Sequence, residues 1–364
     1  MLDLTRRAVV AGGGTAVALA GVPALAATTT PLSIGVLTPA NTSRPGSGQA
    51  LLDGLTAGFA AAGRKVALTE RPIAFGFAGA ADAATELAAG GAQVVVASVS
   101  TLSAREVAAA CAEAGVGLVV ANVGAQVVDE PLAGAVQASL QHWQSSLRMG
   151  EWAAGHLGHR LFAIVAAPDA GYDTVYAVRR GFTSAGGRFE GLALTHGADS
   201  GTVEQAARAA KRSGADVVAI SATGRRAEQI LRACRAAGLR AEIVLDSLAV
   251  DALGRAARGT YSVASWAGRT DAFEMLGRDA ALLVAEGEKR LAGRGWDRLG
   301  DALAGRTVNG LVVDKRLRTV SKPLVVRRAT SSVATRPAVR GVPASMRTID
   351  PDRVAGYVNE YLAT

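Results

Sequence analysis

Short apolar runs alternate with stretches of helical periodicity along most of the chain. Leu32-Ser33-Ile34-Gly35-Val36-Leu37 reads as a strand, and a turn from Thr38 to Gly48 follows it. A helix from Gln49 to Ala62 stops at Gly63. Val66–Glu70 or Ile73–Phe77 supplies a second strand, and Ala80–Ala89 a second helix. Leu118–Ala121 is a buried strand that ends in the turn Asn122–Gln126. The rhythm then restarts with a helix over Ser145–Leu157, a strand over Leu161–Ala166 and a turn at Pro168–Tyr172. A helix over Tyr176–Ala185 ends at Gly186-Gly187. Later come strands at Ile243–Leu245 and Tyr261–Trp266 and a long helix over Ala272–Ala292. Val308–Asp314 and Leu324–Arg328 predict short antiparallel strands, 329–348 an irregular stretch, and Asp352–Leu362 a last helix. Strand and helix in alternation mark a parallel, doubly wound α/β sheet.

One unit occurs twice. GAQVVVASVSTLSAREVAAACAEAGV (Gly91–Val116) lies over GADVVAISATGRRAEQILRACRAAGL (Gly214–Leu239) without a gap. Ser98 faces Ser221 in this alignment, Cys111 faces Cys234, and Gly115 faces Gly238. Each copy is a strand, a hydroxyl-rich turn, a helix and a glycine stop. A β/α unit repeated so far apart predicts two similar lobes rather than one long sheet. Strand-end turns facing a crevice between lobes are where such sheets bind ligands.

The ends narrow the setting. Thr5-Arg6-Arg7, the uncharged stretch Ala11–Val22 and Ala24-Leu25-Ala26 describe a cleaved export signal over residues 1–26. The paired arginines favour the twin-arginine route, although a Sec signal can carry the same pair. No cysteine stands at the cleavage site for a lipid anchor. The expectation is a soluble, monomeric periplasmic protein with no membrane insertion after cleavage. The net charge of +8 raises the question of nucleic acid. The basic residues read as scattered, with no basic run interleaved with aromatics, so nucleic acid is not an expected partner. Both cysteines fall on apolar helix faces, which predicts buried free thiols.

Four segments, in order, resemble the type I periplasmic binding proteins of ABC importers, the branched-chain amino-acid (Leu/Ile/Val) group. They are LSIGVLTPA with GQALLDGLTAGFAAAG, VVVASVSTLSAREVAAACAEAGVGLVVAN, HRLFAIVAAPDAGYDTVYAVRRGFTSAGG, and VNGLVVDKR with KPLVVRR. The resemblance implies two Rossmann-like lobes joined by a multi-crossing hinge. Lobe 1 would span 31–147 and be completed by about 268–315; lobe 2 would span 148–267 and be completed by about 316–364. It also implies a receptor that closes on a small organic ligand, an amino acid or a related carboxylate or amide, and passes it to the permease subunits of an ABC importer. A periplasmic ligand sensor on the same fold is the alternative.

Carried over by position, first-lobe ligand contacts fall at Ser98, Ser100 and Thr101 and at Asn122, Gly124 and Gln126. Second-lobe contacts fall at Tyr172 and Asp246, with Trp266 as a wall. Hydroxyls and unpaired N–H groups at a helix start suit a carboxylate, but the same Ser and Thr residues cap helices in any protein. Asp246 suits a ligand ammonium or the N-cap of the helix after it. Where family members have Ser-Pro-x-Ala-Thr, this chain has Ala121–Gln126, an amide replacing the final hydroxyl. Arg44, in the turn after the first strand, would favour an acidic ligand or stand solvated.

Catalysis finds no support. Gly12-Gly13-Gly14 lies before any strand, so the dinucleotide fingerprint fails on context. The histidines His142, His156, His159 and His196 lack metal-ligand spacing, and no G-x-S-x-G elbow occurs. No enzyme activity, metal or cofactor is expected.

Overall fold

The computed structural model describes residues 30–40, 46–73, 79–124, 126, 130–167, 174–196, 200–266, 270–330 and the backbone of 335–343. The expected export signal, Arg44, Tyr172 and the expected last helix lie outside the described residues.

The first lobe is built on a sheet of five parallel strands: β1 (Leu32–Pro39), β2 (Val66–Ile73), β3 (Val94–Ala97), β4 (Gly117–Asn122) and β5 (Ala135–Ser139). Their spatial order is β2-β1-β3-β4-β5. α1 (Ser47–Ala61) covers one face with α9 (Ala272–Leu291), while α2 (Ala80–Ala89) and α3 (Thr101–Glu113) cover the other. Because both faces are covered, β3 and β4 are buried at every position, which explains their unbroken apolar runs.

The second lobe repeats the plan. β6 (Arg160–Ala166), β7 (Arg188–Thr195), β8 (Val217–Ser221), β9 (Glu242–Leu245) and β10 (Tyr261–Ala264) are parallel, in the order β7-β6-β8-β9-β10. α4 (His142–His156) and α5 (Thr174–Ser184) lie against one face. α6 (Ser200–Ser213), α7 (Gly224–Ala236) and α8 (Ser247–Leu253) lie against the other. The sequence repeat is therefore the third strand of each sheet with the helix that follows it, ending just before the fourth strand. Beyond α9 come α10 (Leu299–Leu303) and a small antiparallel sheet of β11 (Thr307–Val308), β12 (Leu311–Val313) and β13 (Val320–Ser321). β14 (Pro323–Ala329) and β15 (Thr335–Pro343) then extend the second sheet with antiparallel strands.

Four differences from the sequence reading have physical causes. Val66–Ile73 is one continuous strand, because Pro72 lies at its end and the strand is the sheet's edge. β5 was not expected, since AVQAS carries polar residues that a parallel edge strand tolerates. β7 escapes because Gly191 interrupts its alternation; that glycine sits at φ 141 beside the register shift in the β6–β7 pairing. The stretch expected to be irregular contains β15, which pairs with β14 through two register shifts.

Two pairs of helices approach closely on glycine. A Cβ on Gly54 of α1 would lie 2.0 Å from Glu274 O, and one on Gly277 of α9 would lie 2.2 Å from Leu51 O. In the second lobe the same device joins α4 to α5: a Cβ on Gly150 would lie 2.1 Å from Val178 O, and one on Gly181 2.0 Å from Leu147 O.

The chain passes between the two sheets three times: from β5 to α4, from β10 to α9, and from β13 to β14. These crossings are bonded to one another. Ser265 Oγ donates to Leu140 O at 2.7 Å, and the Lys322 N–H donates to Gln141 Oε1 at 2.9 Å. Gln141 sits at φ 56, a conformation uncommon for a residue with a Cβ. Its N–H donates to Ser139 Oγ at 2.9 Å.

Candidate functional site

Two of the crossings leave from the C-terminal ends of parallel strands, β5 and β10, so those edges of the two sheets stand at the hinge. Contacts across it confirm the placement. Leu140 N–H donates to Asn122 O, His142 N–H donates to Val123 O, and Leu248 at the start of α8 packs in the first lobe's core with Val123 and Trp266. The strand order reverses beside β1 in one lobe and beside β6 in the other. That switch point is where open α/β sheets bind ligands.

On the first lobe, Ser98 follows β3 and is buried, and its hydroxyl has no partner among the described residues. Ser100 is the N-cap of α3: its Oγ accepts from Ser103 N–H at 3.2 Å and lies 3.1 Å from Ser103 Oγ. Thr101 begins the helix and is buried. Asn122 ties two turns together, donating from Nδ2 to Val99 O at 2.9 Å and accepting from Gly124 N–H at 2.7 Å. Gly124 O accepts from Ser139 Oγ at 2.8 Å. Gln126 turns its Nε2 to Gln137 O at 2.7 Å and to Val320 O at 3.2 Å, while its Oε1 is buried without a partner among the described residues. Ser98 and Thr101 thus stand at a helix start, while Asn122, Gly124 and Gln126 hold the surrounding turns in place.

On the second lobe, Asp246 has both oxygens engaged. Oδ1 caps α8 by accepting from Leu248 N–H at 2.8 Å, and Oδ2 lies 2.7 Å from His142 Nε2. His142 Nδ1 in turn lies 3.3 Å from Ser247 Oγ. Of the two roles read for Asp246, the N-cap is seen here, and its second oxygen lies against a histidine. Ser221 Oγ, the counterpart of Ser98, is 2.7 Å from Thr174 Oγ1. Around these groups lies a small half-open recess of about 30 Å³ whose walls include Ser145, Thr174, Ser221, Asp246 and Ser247 with Met149, Val244 and Val263. Ser145 Oγ is buried without a partner among the described residues.

Trp266 is committed to the hinge. Its Nε1–H donates to Asp251 Oδ2 at 2.8 Å, and the Arg327 guanidinium lies 5.1 Å from its ring centroid. Arg327, 1 % exposed, also donates to Asp251 Oδ1 at 3.0 Å, Ser262 Oγ at 3.2 Å and Ser247 O at 3.2 Å. Burial pulls the guanidinium below its usual range and Asp251 opposes that. A second buried pair, Lys322–Asp279, fastens the third crossing to α9; burial raises the Asp279 carboxyl and Lys322 opposes the rise.

His142, Ser247, Thr174 and Arg327 were not singled out in the sequence. Ser221 alone had a signal, the repeat's alignment of it with Ser98. Cys111 and Cys234 are free and buried, and burial pushes their thiols up to about 12 and about 11. Among the described residues no group of three or more His, Cys, Asp or Glu could hold a metal. Nor is any described helix long and apolar enough to cross a membrane.

No curated protein matches the sequence. Solved structures do match the fold. A solute-binding protein of an ABC transporter from R. palustris, in complex with benzoate, has a TM-score of 0.67 at 18 % identity, covering 87 % of this chain and 98 % of that one. An ABC transporter substrate-binding protein from Sphaerobacter thermophilus gives 0.69 at 18 % identity over 86 % of this chain and 98 % of that one. A leucine binding protein from Thermotoga maritima gives 0.68 at 15 % identity over 87 % and 100 %. At such identities the likeness establishes the type I two-lobed fold. Membership comes from the sequence profile described as "Periplasmic binding protein", which matches residues 31–276. With two doubly wound lobes, three crossings and strand-end hydroxyls at their switch points, the chain belongs to the periplasmic binding protein family.

Proposed function

We propose that this protein is exported to the periplasm, captures a small organic acid between its lobes and delivers it to an ABC-type importer. The observation that carries the ligand class is the state of Asp246. With one oxygen on the α8 N-terminus and the other on His142, it already serves two partners with which a ligand ammonium would have to compete. The first lobe offers the opposite chemistry: the unengaged Ser98 hydroxyl beside the start of α3, a thirteen-residue helix whose positive end favours an anion. The recess on the second lobe sets hydroxyls and the engaged Asp246 among Met149, Val244 and Val263, a wall suited to a neutral aliphatic or aromatic end. Structural neighbours that bind benzoate and 4-hydroxybenzoate agree with that division, and the leucine-binding neighbour makes the amino acid the necessary comparison.

Thermal unfolding with a panel of benzoates, short fatty acids, dicarboxylates and amino acids tests this reading. A ligand at 100 times its Kd adds ~2.7 kcal/mol of stability, and a monocarboxylate without an ammonium group is expected to give that shift. Ser98→Ala is expected to weaken binding by about tenfold, the worth of one hydrogen bond to a charged group, and so to roughly halve that shift. A panel in which only α-amino acids stabilise the protein would refute the organic-acid assignment while keeping the receptor. A panel in which nothing binds would remove the small-ligand reading itself.

A further inference from the structure

The two lobes share a plan but not a charge. α2 and α3 of the first lobe together carry four acidic residues and one basic. Their counterparts in the second lobe, α6 and α7, carry seven basic residues and two acidic. The basic residues are therefore not scattered, as the linear sequence suggested: α6 and α7 lie side by side over one face of the second sheet. A groove of about 650 Å³ runs between them, with Arg208, Lys211 and Arg232 on its walls. Glu204 and Glu228 each pair with an arginine on their own helix, and Lys211 Nζ donates to Ala237 O. Arg212, Arg225 and Arg240 are exposed with no hydrogen-bond or ion-pair partner among the described residues.

We infer that the α6–α7 face is an electrostatic docking surface for a bilayer carrying anionic phospholipid headgroups. The arginine fork matches a phosphate, and a phosphate-bearing surface is met by several such forks at once. The lipid surface is favoured over an acidic protein because the face lacks what anchors a protein partner. It presents alanines between its charges, and the exposed large hydrophobic residue of the described protein, Val312, lies in the other lobe's small sheet. Attraction of this kind is diffuse, additive over basic residues near the surface, and lost as salt screens it. It would hold the protein close to the membrane whether or not a ligand is bound.

Co-sedimentation of the full chain with phosphatidylcholine vesicles, with and without phosphatidylglycerol, tests the surface at low and at high salt. The variant Arg208→Gln/Arg212→Gln/Arg225→Gln/Arg232→Gln alters exposed side chains only. A control, Lys65→Gln/Lys289→Gln/Arg306→Gln/Lys315→Gln, removes the same charge from the first lobe and its small sheet. Both keep the basic N-terminal segment, so any binding through it is common to all. The expected result is preferential binding to the anionic vesicles that falls at least about tenfold in the α6–α7 variant, falls with salt, and is kept by the control. Equal losses in both variants would mean bulk charge and overturn the surface. So would equal binding to both kinds of vesicle. Binding to polyglutamate that needs the α6–α7 arginines, with none to vesicles, would overturn the lipid in favour of an acidic protein.

Discussion

A guanidinium as enclosed as that of Arg327 is tolerated because each of its nitrogens is met. Asp251, Ser262 and Ser247 accept from it, and Trp266 lies beneath. Removing the carboxylate while leaving the cation buried is costly, so Asp251→Asn is expected to destabilise the protein by about 3 kcal/mol in urea unfolding. Replacing Asp251 and Arg327 together by leucines is expected to recover most of that loss. The thiols make a pH statement. An ordinary thiol ionises near 9.0, while those of Cys111 and Cys234 are held up to about 12 and about 11. Below the lower value both folded and unfolded chains keep the proton. Above it only the unfolded chain releases it, so each thiol subtracts up to about 1.4 kcal/mol per pH unit as pH rises toward the folded value. Urea unfolding from about pH 8 to about pH 10 should show that slope reduced in a Cys111→Ala/Cys234→Ala variant. Residue types and approximate places were readable in the chain; partnerships were not. Asp246 could be named as a cap or a ligand group, but its choice depends on His142, far away in sequence and brought alongside only by the first crossing. The place of Ser98, at a strand end before a helix, could be read from the apolar run ahead of it, and Ser221 repeats that setting.

At the scale of elements, the apolar runs predicted the buried central strands well and the edges poorly. A central strand covered on both faces must be apolar throughout, whereas β5, β7 and β15 depend on neighbours that a linear pattern does not contain. The helix pairs were legible in outline, but the significance of their glycines was not, since an internal glycine reads only as a weak helix former. Gly277 earns its place through the backbone of α1 against it. Gly277→Ala is therefore expected to cost about 2 kcal/mol or more despite alanine's better propensity, because the new methyl group must force two helices apart. Gly155→Ala near the end of α4, where nothing lies within 4 Å of the added carbon, is the matched opposite. It is expected to be neutral or to stabilise by up to about 1 kcal/mol. Calorimetric melting of the pair separates close approach from propensity, and equal effects from the two would refute the packing account.

At the scale of the molecule, the duplicated plan gives two similar binding edges, and divergence has made them unequal. One lobe supplies a helix start and a hydroxyl without a partner among the described residues; the other supplies a recess whose acid already caps a helix and lies against a histidine. The three crossings, bonded through Leu140, Gln141, Ser265 and Lys322, make any movement of one lobe against the other a concerted change in all three. The same connectivity governs how the protein is made. α9, which closes the core over Val96, Val119 and Val136, follows the whole parallel part of the second sheet in the chain. A ribosome adding roughly 5–20 residues per second leaves that apolar face uncovered for on the order of ten seconds. The second lobe in turn waits for β14, the last crossing's product. Neither lobe can be finished first and set aside, so the newborn chain is a client for whatever shields apolar surface until its final stretch emerges.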